Sequence, residues 1–206
     1  MLKVILVNGS PHEKGCTYTA LAEVASVLEQ QNIETKMIWL GKTPISGCLA
    51  CGACLKTGQC VINDCVNDFL IQAKDADGFV FGAPVHFASA SGALTSFMDR
   101  AFYGRGSLFA GKPAAAVVSC RRGGASAAFD QINKYFTISH MPIVSSQYWN
   151  QVHGNNAEEV KEDLEGMQTM RSLGRNMAWL LQCIALGKAN GVNFPEHEAV
   201  IRTNFI

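Results

Sequence analysis

Two periods organise the apolar positions of this chain. Residues 2–7 are a short, mostly apolar run, as expected of a strand buried on both faces of a parallel sheet. After a stretch rich in Gly, Ser and Pro, Thr17 offers an N-cap, and Leu21, Val24, Val27 and Leu28 recur at helical spacing. Residues 33–40 read as a second strand, parallel to the first by the right-handed crossover rule. Val66, Phe69, Leu70 and Ala73 mark a short helix before a third strand at 79–82. Leu94, Phe97, Met98, Ala101 and Phe102 mark another helix before a fourth strand at 114–119. Ala128, Ile132, Tyr135 and Phe136 precede a fifth strand at 141–144. The tail, 156–186, keeps one helical period through Val160, Leu164, Met167, Met170, Leu173, Met177, Leu180 and Ile184, with Gly166 and Gly174 as points of bending.

Five strands alternating with helices predict a single α/β domain over residues 1–206. Its fold is a doubly wound, five-stranded parallel sheet of order 2-1-3-4-5, with a long C-terminal helix. Residues 41–63, after the second strand, are too long for a simple connection and read as a functional insertion.

Composition narrows the function. Lys plus Arg and Asp plus Glu both number 17, so the basic excess of a nucleic-acid binder is missing. No apolar run reaches the length of a membrane span, and the first residues lack the pattern of a secretory leader. The expectation is a cytoplasmic protein with neither nucleic-acid nor membrane partners. Eight cysteines, five of them between Cys48 and Cys65, then point to a metal, a cluster or redox chemistry rather than a disulfide framework. Cys120 and Cys183 read as small buried hydrophobes.

Ligands of such sheets bind outside the carboxyl ends of the strands. Three loops fall there. The first, Asn8-Gly9-Ser10-Pro11-His12-Glu13-Lys14-Gly15-Cys16-Thr17, opens a helix, where free amides and the helix dipole favour an anion. Ser10 and Thr17 add hydroxyls, and His12 or Lys14 adds charge. The loop matches neither the triphosphate motif nor the dinucleotide fingerprint, so a monophosphate fits best. An ordinary capped turn explains the same residues. The second loop sets Pro84 and Val85 beside His86 and Phe87, a shelf for a flat ring or simple core packing. The third, Ser119-Cys120-Arg121-Arg122-Gly123-Gly124, offers two cations and close backbone approach, or a solvated turn.

Cys48, Cys51, Cys54 and Cys60 read C-x2-C-x2-C-x5-C. Soft thiolates suit an iron–sulfur cluster, and overlapping steps differ from the separated knuckles of structural zinc. Zinc, a redox disulfide and a metal-free loop stay open as alternatives. Cys65 is left unassigned.

The run Val7-Asn8-Gly9-Ser10-Pro11, the segment Gly82-Ala83-Pro84-Val85-His86-Phe87 and the helix with Gly92-Ala93-Leu94 resemble the flavodoxin-like NADPH-dependent FMN reductases over roughly residues 1–136. The cysteine spacing resembles the iron–sulfur flavoprotein branch of that family. The resemblance implies noncovalent FMN. Its phosphate would be held by Ser10, His12, Lys14, Gly15, Cys16 and Thr17, and its ring lined by Pro84, Val85, His86 and Phe87. The pyrimidine side would meet Ser119, Arg121, Arg122, Gly123 and Gly124. A 4Fe–4S cluster would sit on the four cysteines. His12 stands where Arg is common, and Cys16 where Asn or Ser is common.

The function this implies is an FMN oxidoreductase moving electrons between NAD(P)H or a reduced carrier and a small-molecule or protein acceptor, with no side chain assigned as a catalytic acid or base. A non-enzymatic electron-transfer protein and a metal-free reductase of quinones, azo or nitro compounds are the rivals. A homodimer or homotetramer is expected. Leu94, Phe97, Met98, Ala101, Phe102 and Tyr103 exceed one core-facing stripe, and a tail helix of about 45 Å would overrun its own sheet.

Overall fold

A computed structural model describes residues 1–199 and 201–205. The elements are β1 (Lys3–Asn8), α1 (Cys16–Gln30), β2 (Glu34–Trp39), α2 (Ala53–Thr57), α3 (Cys65–Ala73), β3 (Gly78–His86) and β4 (Ser89–Ala90). They continue with α4 (Gly92–Tyr103), α5 (Gly106–Phe109), β5 (Ala114–Cys120), α6 (Ala125–Ile138), β6 (Gln151–His153), α7 (Ala157–Glu162) and α8 (Leu164–Ala189). The parallel strands lie in the order β2-β1-β3-β5-β6, and β4 folds back antiparallel on β3. Counted among themselves, the five parallel strands take the expected order.

Alternation along the strands builds two cores. Ile5, Val7, Phe79, Phe81 and Val118 face α3, α4, α5 and α6, where Phe69, Phe97, Phe102, Phe109 and Phe136 form an aromatic cluster. Phe69 meets Phe97 edge to face at 5.0 Å, and Phe102 stacks on Phe109 at 4.4 Å. Val4, Leu6, Val80, Ala115 and Val117 face α1 and α8 through Leu21, Val24, Leu28, Met170, Leu173 and Met177. A sheet covered on both sides reads in sequence as near-continuous apolar runs.

The structure departs from the sequence reading in several places. Residues 141–144 are not a strand: Ile143 makes one isolated bridge to Ala114, and the edge of the sheet is β6. Pro142, lacking an N–H, cannot continue a ladder there. The third strand runs past residue 82 to His86 and turns into the β3–β4 hairpin. Thr17 is not the cap of α1; Gly15 holds that place and Thr17 lies buried in the first turn. The tail is two helices. Asp163 leaves helical geometry at ψ 77°, and its carboxylate accepts from the amides of His153 (2.7 Å) and Gly166 (3.0 Å), ending α7 and capping α8. Gly174 lets α8 approach α1 closely, because a Cβ there would lie 2.8 Å from Val27 Cβ. Cys120 is buried, but Cys183 is exposed on α8. Among the described residues no helix is long and apolar enough to cross a membrane.

Candidate functional site

The carboxyl ends of β1, β3 and β5 bring the three loops together. β1 ends at Asn8, whose Oδ1 accepts from the Ser10 amide (3.0 Å) and whose Nδ2 donates to Glu13 O (3.0 Å). Ser10 Oγ accepts from the His12 amide at 3.1 Å. Two residues from elsewhere fasten the loop from outside: Trp39 Nε1 donates to Ser10 O (2.8 Å) and Ser91 Oγ to Gly9 O (2.7 Å). Gly9 is needed for this approach, since a Cβ would stand 2.7 Å from Leu94 Cβ.

The loop thus satisfies its own backbone and leaves the helix end open. The amides of Cys16, Thr17 and Tyr18 have no acceptor among the described residues. That is the geometry of an anion site at a helix N-terminus. His12 and Lys14 are exposed beside it, and their side chains have no ion pair or hydrogen bond among the described residues. Cys16 turns away and its thiol donates to Gly154 O at 3.6 Å. Burial pushes that thiol up, and Glu159 and Glu158 add to the shift, so it is neutral at pH 7. Thr17 Oγ1 lies 2.8 Å from Ser119 Oγ, both buried, which ties the first loop to the end of β5.

The second loop is a two-residue turn closing the His86–Ser89 pair. Phe87 (φ 51°) and Ala88 (φ 59°) are both left-handed, the conformation of a type I′ turn that favours Asn-Gly. Its base is held by Gln131 Oε1, which accepts from Ser89 Oγ (2.8 Å) and the Ala90 amide (3.0 Å). Pro84 and Val85 are half-buried, His86 is exposed, and the Phe87 ring is fully exposed. The turn rests on the third loop at Gly124 (φ 91°), where a Cβ would come within 2.6 Å of Ala88 Cα. Arg121, Arg122 and Gly123 are exposed around it. At the far side of β5, Cys120 Sγ lies 3.4 Å from His153 Nδ1, and burial raises the Cys120 thiol as well.

The cysteine segment leaves the sheet at the same edge but folds back along α4. Left-handed Ala50, Gly52 and Gly58 wrap it tightly. Cys48, Cys51, Cys54 and Cys60 line one pocket with Arg100 and Tyr103. Among the described residues no three His, Cys, Asp or Glu side chains converge as the ligands of a single ion do. Cys54 packs directly against Gly104, where no Cβ fits. From residue 92 to residue 100, α4 rises about 12 Å, so the pocket is set back from the loop edge.

Cys60 is the most firmly placed of the four. Asn67 Oδ1 accepts from its amide (2.9 Å) and Asn67 Nδ2 donates to its carbonyl (2.9 Å). Arg100 Nε donates to its sulfur at 3.3 Å, while the guanidinium forks onto both oxygens of Asp64 at 2.7 and 2.8 Å. Burial pushes the Asp64 carboxyl up, but the Arg100 hydrogen bonds, the Val66 amide and the Arg100 charge outweigh it, leaving it below the ordinary carboxylate range. Cys65 belongs elsewhere: it starts α3 and packs on the aromatic core. Sequence reasoning missed Trp39, Asp64, Asn67, Ser91 and Arg100. One signal was available for Arg100, a charge three residues after Phe97 on an apolar helical stripe.

Comparison with known proteins agrees with this arrangement. The family profile described as NADPH-dependent FMN reductase matches residues 2–156. An iron-sulfur flavoprotein of Methanocaldococcus jannaschii is 32% identical over 194 residues, covering 89% of this chain and 99% of its own. Among solved structures, RosB with bound 8-demethyl-8-formylriboflavin-5'-phosphate superposes with TM-score 0.70 at 15% identity, covering 100% of this chain and 92% of that one. A flavodoxin from the domain Archaea superposes with TM-score 0.60 at 14% identity, covering 88% and 99%, and establishes the fold as flavodoxin-like. With the profile spanning most of its length, the chain belongs to the NADPH-dependent FMN reductase family, in its iron–sulfur flavoprotein branch.

Proposed function

We propose that this family member is an FMN oxidoreductase that moves electrons between NAD(P)H or a reduced carrier and a small acceptor, assisted by a 4Fe–4S cluster. The observation that carries the flavin site is the set of unpaired amides at Cys16, Thr17 and Tyr18, opposite an exposed aromatic turn. A phosphate monoester there meets the α1 dipole, the Ser10 hydroxyl, and the one proton that the Thr17–Ser119 pair leaves free. Gly15 lets the loop close against His12, where a Cβ would come within 2.9 Å of His12 Cβ; Lys14 adds positive charge and His12 an imidazole ring for hydrogen bonding. The neutral Cys16 thiol adds no repulsion. Pro84, Val85, His86 and Phe87 present the surface for the ring. Arg121 and Arg122, with Ser119, Gly123 and Gly124, border its pyrimidine side, where their charge favours an anionic reduced ring.

Bound FMN supplies both hydride and single-electron chemistry. The chain's part is position, charge and exclusion of water, and no residue is assigned as an acid or base. The four cysteines fit a cluster by the softness of their donors and by their shared pocket, and the cluster supplies single-electron transfer. The iron–sulfur name of the relative supports the same assignment. We propose in addition a homodimer or homotetramer. Trp179, Leu164 and Leu186 are exposed along α8, and Tyr103 and Ile138 beside the cysteine pocket.

Steady-state NAD(P)H oxidation by anaerobic protein of known FMN and iron content tests this reading. Turnover that needs both cofactors supports it. Full turnover without iron favours the metal-free reductase, and no turnover with both cofactors bound favours the electron carrier. Light scattering near 22 kDa would refute the oligomer.

A further inference from the structure

Arg100 is only 3% exposed, a full charge on the core side of α4. A guanidinium has five N–H donors, and all five are engaged. Nε donates to Cys60 Sγ (3.3 Å). Nη1 donates to Asp64 Oδ2 (2.7 Å) and Ser46 O (3.3 Å). Nη2 donates to Asp64 Oδ1 (2.8 Å) and Ile62 O (2.9 Å). One side chain therefore joins both ends of the cysteine segment to the core, from Ser46 before Cys48 to Asp64 after Cys60.

The contact with sulfur is the informative one. A thiol is a weak acceptor, whereas a thiolate is a strong one for a charged donor. Asp64 offers one negative charge, but its carboxylate is 30% exposed while the Arg100 side chain is 1% exposed. The arrangement suits a guanidinium shared between a carboxylate and an anionic sulfur.

We propose that Arg100 is a positioning residue that presents Cys60 to the cluster and raises the cluster's reduction potential through its N–H···S hydrogen bond and its charge. The inference rests on the 4Fe–4S reading of the cysteine segment. Reduction of a cluster adds one electron, and hence one negative charge, next to the guanidinium. Hydrogen bonds to the sulfurs and net charge are among the levers that set such potentials. Asp64 works in the opposite sense, drawing part of the guanidinium charge to itself.

The test is a dithionite titration of the anaerobic holoprotein followed by electron paramagnetic resonance, with iron and FMN content measured in each variant. Arg100→Lys keeps a charge but loses the fork, so the cluster potential moves negative. Asp64→Asn leaves the guanidinium facing sulfur alone, so the potential moves positive. The FMN potential stays at its wild-type value in both. Opposite shifts support the proposal, since a merely structural bridge would not produce them. Shifts of one sign, no shift, or loss of iron from both variants with FMN retained would overturn it. If Arg100→Lys alone loses iron, the sign in Asp64→Asn decides. Wild-type protein that takes up no iron would instead refute the cluster reading.

Discussion

The hydroxyl of Thr17 lies 2.8 Å from that of Ser119, which locks the first turn of α1 to the end of β5 inside the sheet edge. Two loops that are far apart in the chain are thereby held in fixed relation at the proposed flavin site, without either hydroxyl facing bulk water.

Thr17→Val removes one hydroxyl and leaves Ser119 buried without its partner. The cost is about 1 kcal/mol of stability. FMN binding weakens by about fivefold, because the Ser119 hydroxyl is no longer held in a fixed orientation by its partner. Flavin fluorescence quenching on titration measures it.

Phe87 combines left-handed backbone with a fully exposed ring, so its conformation is not maintained by packing. Such strain at a site edge points to use by a ligand. Phe87→Gly removes the strain and raises apo-protein stability by about 0.5–1 kcal/mol. The same change weakens FMN binding by about three- to tenfold, the value of one aromatic contact. A stability rise with unchanged affinity would show that the ring does not line the site.

Gly124→Ala puts a Cβ within 2.6 Å of Ala88 Cα at a φ of 91°. The hairpin must lift from α6, at a cost of at least about 1–3 kcal/mol. Thermal unfolding reports the stability loss, and flavin titration a weaker ring site with the phosphate contacts intact.

Asp64 titrates lower in the folded chain than in the unfolded one. Its stabilising contribution is therefore complete above the ordinary carboxyl value of about 3.9 and is lost as pH falls through the lower folded value. Wild type should exceed Asp64→Asn by about 2 kcal/mol at neutral pH, less than a fully buried pair because Asp64 keeps some solvent. Urea unfolding at a series of pH values should show that gap closing only in acid.

What the chain disclosed in advance depends on how local the cause is. β1, β3 and β5 are buried on both faces, so their residues repeat an apolar signal that survives without context. β6 is Gln151-Val152-His153, too short for a period, and the neighbouring 141–144 run was more apolar but held Pro142. The break at Asp163 comes from a hydrogen bond to His153, which no helical periodicity contains. The first loop was legible because turn residues and a helix start sit together in sequence. The Phe87-Ala88 turn lacks the Asn-Gly signature of its type. The contacts of Arg100 with Cys60 and Asp64 span 40 and 36 residues, so only the fold could assemble them. For the cysteines, spacing named the group, and the folded chain added which member is held most firmly.

One chain is expected to carry both FMN at the loop edge and a cluster in the cysteine pocket. The most direct measurement is cofactor analysis of protein purified without oxygen: chromatography of the flavin released on denaturation, with iron, zinc and acid-labile sulfide on the same sample. The expected result is one FMN, about four iron and about four sulfide per chain. FAD or no flavin, or zinc in place of iron and sulfide, would contradict it.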